Sequence, residues 1–241
     1  MLTRSALPPS LQLSYGEHAD QVADCYPSAV TTDLTVLLLH GGFWEQQYDR
    51  AHCRPLASAL AEHGVNVIVP EFRRLGGAGG WPYTFDDVRD GCHRLSEAHA
   101  TDKRLLLMGH SAGGQLALWL AASDPPARLS GVVALAPVSN LGEAARLGLG
   151  GGAVPRLMGG SIDQVADRYA LVDPTRLVEP AAATTILHGS DDSIVPVSMS
   201  RHYVADRPNV MLIEEACGHF ELIDPTTPTF DRIVGYVRGF G

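Results

Sequence analysis

The chain has 241 residues, of which 45% are hydrophobic and 19% are charged, as in globular proteins with a substantial core. Its 27 acidic and 18 basic residues argue against a nucleic-acid partner. The first residues, MLTRSALPPSLQ, lack the apolar core of a signal peptide. The cysteines, Cys25, Cys53, Cys92 and Cys217, have neither metal-like nor redox-like spacing. We expect a cytoplasmic protein with free thiols, no membrane segment, and neither metal nor cofactor.

Apolar runs alternate with helical patterns along the chain. Strands are predicted at residues 35–39, 65–69, 105–108, 131–135, 184–187 and 210–213. Helices are predicted at residues 50–62, 84–100, 115–122 and 230–237. This alternation predicts βαβ units and a mostly parallel sheet covered by helices on both faces. We therefore predict a single α/β domain over residues 1–241, with a short antiparallel edge within residues 11–34.

The segment Gly109-His110-Ser111-Ala112-Gly113 lies between a predicted strand and a predicted helix. A Gly-x-Ser-x-Gly in this position is typical of a nucleophile elbow, a sharp turn that lifts the serine hydroxyl clear of the backbone. Side chains two residues on either side of the serine would collide with neighbouring backbone, so glycine is required there. We predict that Ser111 is a catalytic nucleophile.

A serine hydroxyl needs a base within hydrogen-bond reach, and the base needs an orienting acid. In a fold with such an elbow, the chain order is serine, acid, histidine. We assign Asp192, after the strand at 184–187, as the acid and His219, after the last strand, as the base. Asp191 remains an alternative acid, although it could instead brace the turn.

The remaining histidines have simpler interpretations. His110 and His188 flank strand ends and are expected to shape turns, and His110 is also a candidate for substrate contact because it precedes Ser111. The histidines on loops or helices without a partner motif are expected at the surface: His18, His52, His63, His93, His99 and His202.

The developing oxyanion also needs hydrogen-bond donors. Backbone N–H groups of Gly42 and Phe43, in the loop after the first predicted strand, would supply them together with that of Ala112. Glycines in that loop let the backbone approach the reacting oxygen closely. We expect Trp44, in the same loop, to contact the substrate.

From about Tyr15 onward, the chain resembles the α/β-hydrolase superfamily. The loop His40-Gly41-Gly42-Phe43-Trp44 is similar to the His-Gly-Gly-x-Trp motif of kynurenine formamidases (arylformamidases) and related small esterases. Hormone-sensitive-lipase-like esterases carry a further glycine where this chain has Phe43. The segment from His188 to Pro196 resembles the superfamily's His-Gly-x-x-Asp-x-x-Val-Pro, which places the acid on Asp192. The resemblance implies cofactor-free hydrolysis through an acyl-enzyme.

Residues 139–183 form the longest connection between predicted strands. They include the glycine-rich residues 148–152 and a helical stretch at 162–171. Because the glycines neither follow a strand nor open a helix in the predicted pattern, we expect a flexible loop there and not a phosphate-binding loop. We predict that residues 139–183 form a small cap over the site.

These predictions favour a serine hydrolase that cleaves small-molecule carboxylic esters, with no nucleic-acid or membrane partner. The alternative enzyme is an arylformamidase that hydrolyses N-formylkynurenine, in which Arg73 or Arg74 pairs with the substrate carboxylate. A structural salt bridge is the simpler explanation for these arginines. A catalytically inactive hydrolase fold that binds a ligand is the third hypothesis. The natural substrate, the stereochemical preference and the oligomeric state stay open.

Overall fold

The computed structural model describes residues 6–100 and 104–239. We predict no signal peptide in the segment MLTRSALPPSLQ, and the first five residues of that segment lie outside the described part. The strands are β1 Leu11–Ser14, β2 Val22–Tyr26, β3 Leu34–Leu39, β4 Asn66–Pro70, β5 Arg104–His110, β6 Leu129–Leu135, β7 Ala183–Gly189 and β8 Val210–Glu215. The α-helices are α1 Arg54–Glu62, α2 Tyr83–His99, α3 Ala112–Ser123, α4 Leu141–Arg146, α5 Leu149–Met158, α6 Ala166–Val172, α7 Val197–Val204 and α8 Pro228–Gly239.

The strands of the described residues form one sheet in the order β1-β2-β4-β3-β5-β6-β7-β8. Strands β3 to β8 pair in parallel, whereas β1 and β2 are antiparallel to their neighbours. The predicted parallel sheet and its antiparallel edge are therefore confirmed. Every residue of β3 is buried, as expected for a strand with helices on both faces.

Successive residues of β3 supply the two cores on either face of the sheet. Leu37 and Leu39 belong to the core that includes α2 and α3, whereas Val36 and Leu38 face the core formed with α1 and α8. Full burial of each such side chain contributes about 1.5–3 kcal/mol through the hydrophobic effect. This packing holds in place the side of the sheet at which the C-terminal ends of β3, β5, β7 and β8 lie.

Two of the differences between the predicted and the observed helices have local reasons. Helix α3 begins at Ala112, three residues earlier than predicted, because the elbow passes directly into the first helical turn. The predicted helix at 50–62 is divided into a 3₁₀ turn, Arg50–Cys53, and α1. Pro55 lies in the first turn of α1, where the missing N–H costs no helical hydrogen bond.

Residues 148–152, predicted as a flexible loop, contain the start of α5. Gly148, Gly150, Gly151 and Gly152 have φ values of +65°, +59°, +63° and +75°, and the Gly152 N–H donates to the Gly148 carbonyl oxygen at 3.2 Å. They form a left-handed turn at the start of α5, a conformation that only glycine adopts at little cost.

Residues 139–183 thus carry α4, α5 and α6, followed by a 3₁₀ turn, Pro174–Arg176. All four cysteines are free. Within residues 6–100 and 104–239, no helix combines the length and the apolar character needed to cross a bilayer.

Candidate active site

Ser111 lies in the turn between β5 and α3 with φ +57° and ψ −117°, a conformation that side-chain-bearing residues seldom adopt. Its N–H donates to the Leu135 carbonyl oxygen at 2.8 Å, and its own carbonyl accepts from the Val138 N–H at 3.2 Å. Strained backbone of this kind persists only where its surroundings fix it. Strand β6 and the residues after it therefore hold the elbow in place.

Glycine is required around Ser111, as predicted. A Cβ atom on Gly109 would lie 2.1 Å from the Gly113 carbonyl oxygen, and one on Gly113 would lie 2.1 Å from the Leu39 carbonyl oxygen. A Cβ on Gly41 would lie 3.1 Å from the Ser111 Cβ. The loop after β3 therefore runs directly against the elbow.

The loops after β7 and β8 bring Asp192 and His219 together. The His219 Nδ1–H donates to Asp192 Oδ2 at 2.6 Å. The other carboxylate oxygen, Oδ1, accepts from the N–H groups of Ile194 and Val195, each at 2.8 Å. The side chains of Asp192 and His219 are 0% and 3% exposed, whereas Asp191 is exposed. The structure therefore places Asp192, and not Asp191, against the imidazole.

His188 is buried beside the same carboxylate. Its Nε2–H donates to the Val195 carbonyl oxygen at 2.9 Å and lies 3.4 Å from Asp192 Oδ2. Its Nδ1 accepts a hydrogen bond from the Ser200 hydroxyl at 2.7 Å. Burial would raise the pKa of the Asp192 carboxyl, but hydrogen bonds from His188 and His219 outweigh that effect and lower it. Asp192 is therefore ionised at neutral pH.

Ser111 and His219 line one cavity of about 190 Å³. The other lining residues are Gly42, Phe43, Tyr48, His52, His110, Ile194 and Phe220. Within the described residues, the Ser111 hydroxyl makes no hydrogen bond. Catalytic hydrogen bonds often shorten only when substrate binds, so this geometry is compatible with a serine–histidine pair.

Two residues of the loop after β3, Gly42 and Phe43, line this cavity. Gly42, Phe43 and Trp44 have φ values of +103°, +50° and +58°. In the described part of the chain, the N–H groups of Gly42, Phe43 and Ala112 meet no acceptor. The Ala112 amide is also at the N-terminus of α3, where the helix dipole favours negative charge. These amides are chemically suited to bind an oxyanion.

A buried ionic cluster supports that loop. His40 Nε2 lies 2.7 Å from Glu71 Oε1, and the His40 ring stacks on Phe72 with 4.3 Å between centroids. The Arg74 Nε lies 3.2 Å from the same carboxylate oxygen. Burial opposes ionisation of Glu71, but His40 and Arg74 outweigh it and lower the pKa to about 2. Sequence reasoning missed Glu71. The one signal for it in the sequence is its position as a charged residue directly after a buried strand.

Of the two predicted substrate contacts, His110 lines the cavity and Trp44 does not. Trp44 is fully buried in the core and does not line the cavity, because the left-handed turn at this residue directs its side chain inward. His110 does line the cavity, but its Nε2–H donates to the His219 carbonyl oxygen at 3.0 Å. Burial, together with His219 and His52, holds the pKa of His110 well below its usual value. His110 therefore supports the backbone of the histidine loop.

Sequence reasoning also missed part of the cavity wall. His52 was predicted at the surface, yet it is 7% exposed and lines the cavity. Ile194 and Phe220 follow Asp192 and His219 closely in the sequence, and that adjacency was the available signal. In the range 6–100 and 104–239, no three His, Cys, Asp or Glu side chains are placed to share a metal ion.

Three solved structures show what this chain is similar to. A truncated carbohydrate esterase from gut microbiota is 17% identical, with a TM-score of 0.81 over 97% of this chain and 99% of its own. Esterase B from Lactobacillus rhamnosis, in a structure with a tributyrin phosphonate, is 20% identical, with a TM-score of 0.76 over 98% and 87%. At such identities the similarity shows the α/β-hydrolase fold.

The third structure is a bifunctional GH43-CE protein from Bacteroides eggerthii, 17% identical with a TM-score of 0.76 over 95% of this chain. This chain spans only 37% of the length of that protein. A comparison with curated proteins found no match.

A family model, BD-FAE, matches residues 24–206. The matched region contains the loop after β3, the elbow and Asp192, and it ends before His219. Because the match covers well over half of the sequence, the chain belongs to the BD-FAE family.

Proposed function

We propose that this protein is a serine hydrolase that cleaves small carboxylic esters through an acyl-enzyme. The observation that carries the proposal is the 2.6 Å hydrogen bond from His219 to Asp192, at the wall of a cavity that Ser111 also lines. The structurally similar carbohydrate esterase and esterase B support the same class of reaction.

In the proposed acylation step, the Ser111 Oγ attacks the ester carbonyl carbon while His219 Nε2 takes the hydroxyl proton. The carbonyl electrons move onto oxygen, and the amides of Gly42, Phe43 and Ala112 stabilise that oxyanion. Asp192 keeps the His219 proton on Nδ1 and stabilises the imidazolium. The carbon–oxygen bond to the alcohol then breaks, and the leaving oxygen receives the proton from His219.

Deacylation repeats these steps with water. His219 takes a proton from the water, which attacks the acyl carbon, and then returns the proton to the Ser111 oxygen as the carboxylic acid leaves. The same amides stabilise the second oxyanion. Each residue therefore ends the cycle in the protonation state in which it began.

The cavity favours a short acyl group. Its volume of about 190 Å³ is below the roughly 300–1,000 Å³ of pockets for drug-sized ligands. Phe43, Ile194 and Phe220 give it apolar walls.

We also propose that residues 139–183 act as a cap. Gly150 of this segment packs closely on Phe43 of the cavity wall: a Cβ atom added to Gly150 would lie only 2.5 Å from the Phe43 ring.

The arylformamidase alternative gains no support from Arg73 and Arg74. The Arg73 guanidinium pairs with Asp87 at 2.6 Å, and Arg74 contacts Asp20 and Glu71, each at 3.2 Å. These contacts are structural salt bridges, which is the simpler explanation for the two arginines. We therefore assign neither arginine to a substrate carboxylate.

The test compares kcat/KM of the purified protein for 4-nitrophenyl acetate, butyrate and octanoate and for N-formylkynurenine. We expect acetate and butyrate to be hydrolysed much faster than octanoate, and Ser111→Ala to lower kcat by at least about 10⁴-fold. Faster turnover of N-formylkynurenine than of every ester would favour the arylformamidase. Absence of turnover with the whole panel would favour a binding protein.

A further inference from the structure

His52 is a buried histidine in the cavity wall that the proposed mechanism does not use. It lies in the 3₁₀ turn before α1, and its Nδ1 is 2.6 Å from the Asp49 carbonyl oxygen. A carbonyl oxygen can only accept a hydrogen bond, so the ring proton is on Nδ1. The tautomer of His52 is therefore fixed by its own turn.

The other ring nitrogen, Nε2, is a free acceptor. Burial, and to a smaller extent the neighbouring His40, lowers the pKa of His52 to about 4. The ring is therefore neutral at neutral pH, and Nε2 carries a lone pair. Within the described residues, Nε2 has no hydrogen-bond partner, and it is not sealed from solvent. Since His52 lines the cavity, the cavity is the space that we assign to this lone pair.

Few other polar side chains face this space. Phe43, Ile194 and Phe220 are apolar, and both nitrogens of His110 are unavailable: Nε2 contacts the His219 carbonyl oxygen and Nδ1 is fully buried. Apart from the proposed catalytic pair, the described polar side chains of the wall are therefore those of His52 and Tyr48. An unpaired acceptor in a small, largely apolar cavity favours a ligand that donates to it, because leaving the acceptor unpaired is unfavourable.

We propose that His52 Nε2 accepts a hydrogen bond from a substrate hydroxyl, so that the protein prefers esters with a hydroxyl near the carbonyl over esters with methyl in its place. The inference rests on the proposed ester hydrolysis and specifies its substrates as short esters of hydroxylated acids or of polyols. The shared chemistry is the hydroxyl group, and the experiment distinguishes the acyl side from the alcohol side.

The experiment uses two pairs of esters that differ only by a hydroxyl in place of a methyl group. Propyl acetate and 2-hydroxyethyl acetate test the alcohol side, and ethyl propionate and ethyl glycolate test the acyl side. Hydrolysis is followed in a pH-stat, and each ratio of kcat/KM is divided by the ratio for hydroxide-catalysed hydrolysis. We expect a preference of about 3- to 10-fold for the hydroxyl ester in at least one pair. Corrected ratios at or below one in both pairs would overturn the inference.

Variants of His52 test whether this residue is the acceptor. His52→Asn keeps a donor toward the Asp49 carbonyl oxygen but has no acceptor at the position of Nε2, so the preference should disappear. His52→Gln places an amide oxygen near the Nε2 position and should retain part of it. The control Tyr48→Phe, which removes the other polar group of the wall, should leave the preference intact.

The outcomes separate this inference from the proposed function. If Tyr48→Phe abolishes the preference and His52→Asn does not, the assignment to His52 is wrong. If His52→Asn does not fold, as judged by its thermal transition, the wild-type ratios and His52→Gln decide. A wild-type protein that hydrolyses no ester contradicts the proposed function, whereas one that hydrolyses both members of each pair equally contradicts only the role of His52.

Discussion

The elbow around Ser111 and the left-handed turn at residues 148–152 are both rich in glycine, but glycine serves a different purpose in each. At Gly109 and Gly113, an added Cβ atom would meet a backbone oxygen at 2.1 Å. At Gly148, Gly151 and Gly152, an added Cβ would meet nothing within 4 Å, and only the positive φ favours glycine.

This difference shows which parts of the site the fold determines rigidly. The elbow is enclosed by the backbone of β3, β5 and α3, so its geometry cannot change without moving the sheet. At the turn, the constraints are the positive φ values of its glycines and the contact of Gly150 with Phe43. Substitutions should therefore act on folding and chemistry at the elbow, and on substrate binding at the turn.

The largest effect is expected where the fold holds the site rigidly, from substitution of one of two adjacent aspartates. Asp192→Asn keeps the size of the side chain but loses the charge that orients His219, so we expect kcat for 4-nitrophenyl acetate to fall by about 10⁴-fold. The matched control Asp191→Asn changes an exposed residue and should leave kcat within about twofold. Equal losses in both variants would remove Asp192 from the proposed triad.

A smaller effect, on stability, is expected from Gly113→Ala. Its Cβ would lie 2.1 Å from the Leu39 carbonyl oxygen and 2.5 Å from that of His40, and neither backbone atom can move freely. We expect the free energy of unfolding in urea to fall by about 3 kcal/mol, with loss of activity. A variant as stable as the wild type would show that the elbow is less constrained than the geometry indicates.

The smallest effects are expected at the turn, from two neighbouring substitutions. Gly151→Ala has open space, so it should cost about 1 kcal/mol for the left-handed conformation and leave KM unchanged. Gly150→Ala carries the same backbone cost but displaces the Phe43 side chain, so KM for 4-nitrophenyl butyrate should also change severalfold. Identical KM values for the two variants would argue against contact between this turn and the substrate cavity.

The sequence was sufficient for the features that local patterns encode. Continuous apolar runs predict buried parallel strands, and the spacing of glycine around Ser111 predicts a turn that the structure shows to be sterically required. The resemblance to the superfamily's His-Gly-x-x-Asp-x-x-Val-Pro favoured Asp192 over Asp191, and the hydrogen bond to His219 agrees with that choice.

Other features depend on contacts that one sequence does not display. Trp44 points into the core because the backbone reverses at this residue, and no residue pattern reports that dihedral angle. His52 lacks a neighbouring motif, and its burial arises from the way the turn before α1 packs beneath the loop after β3. In the turn at 148–152 only Leu149 has a side chain, which is too little for a helical pattern to be predicted.

Covalent labelling is the sharpest test of whether Ser111 is a nucleophile activated by His219. The wild-type protein and Ser111→Ala are incubated with a fluorophosphonate, and the adduct is located by intact-mass measurement and peptide mapping. We expect a single adduct on Ser111 in the wild type and none in Ser111→Ala. A wild-type protein that hydrolyses 4-nitrophenyl acetate while remaining unlabelled at Ser111, or that carries the adduct on another residue, would contradict it.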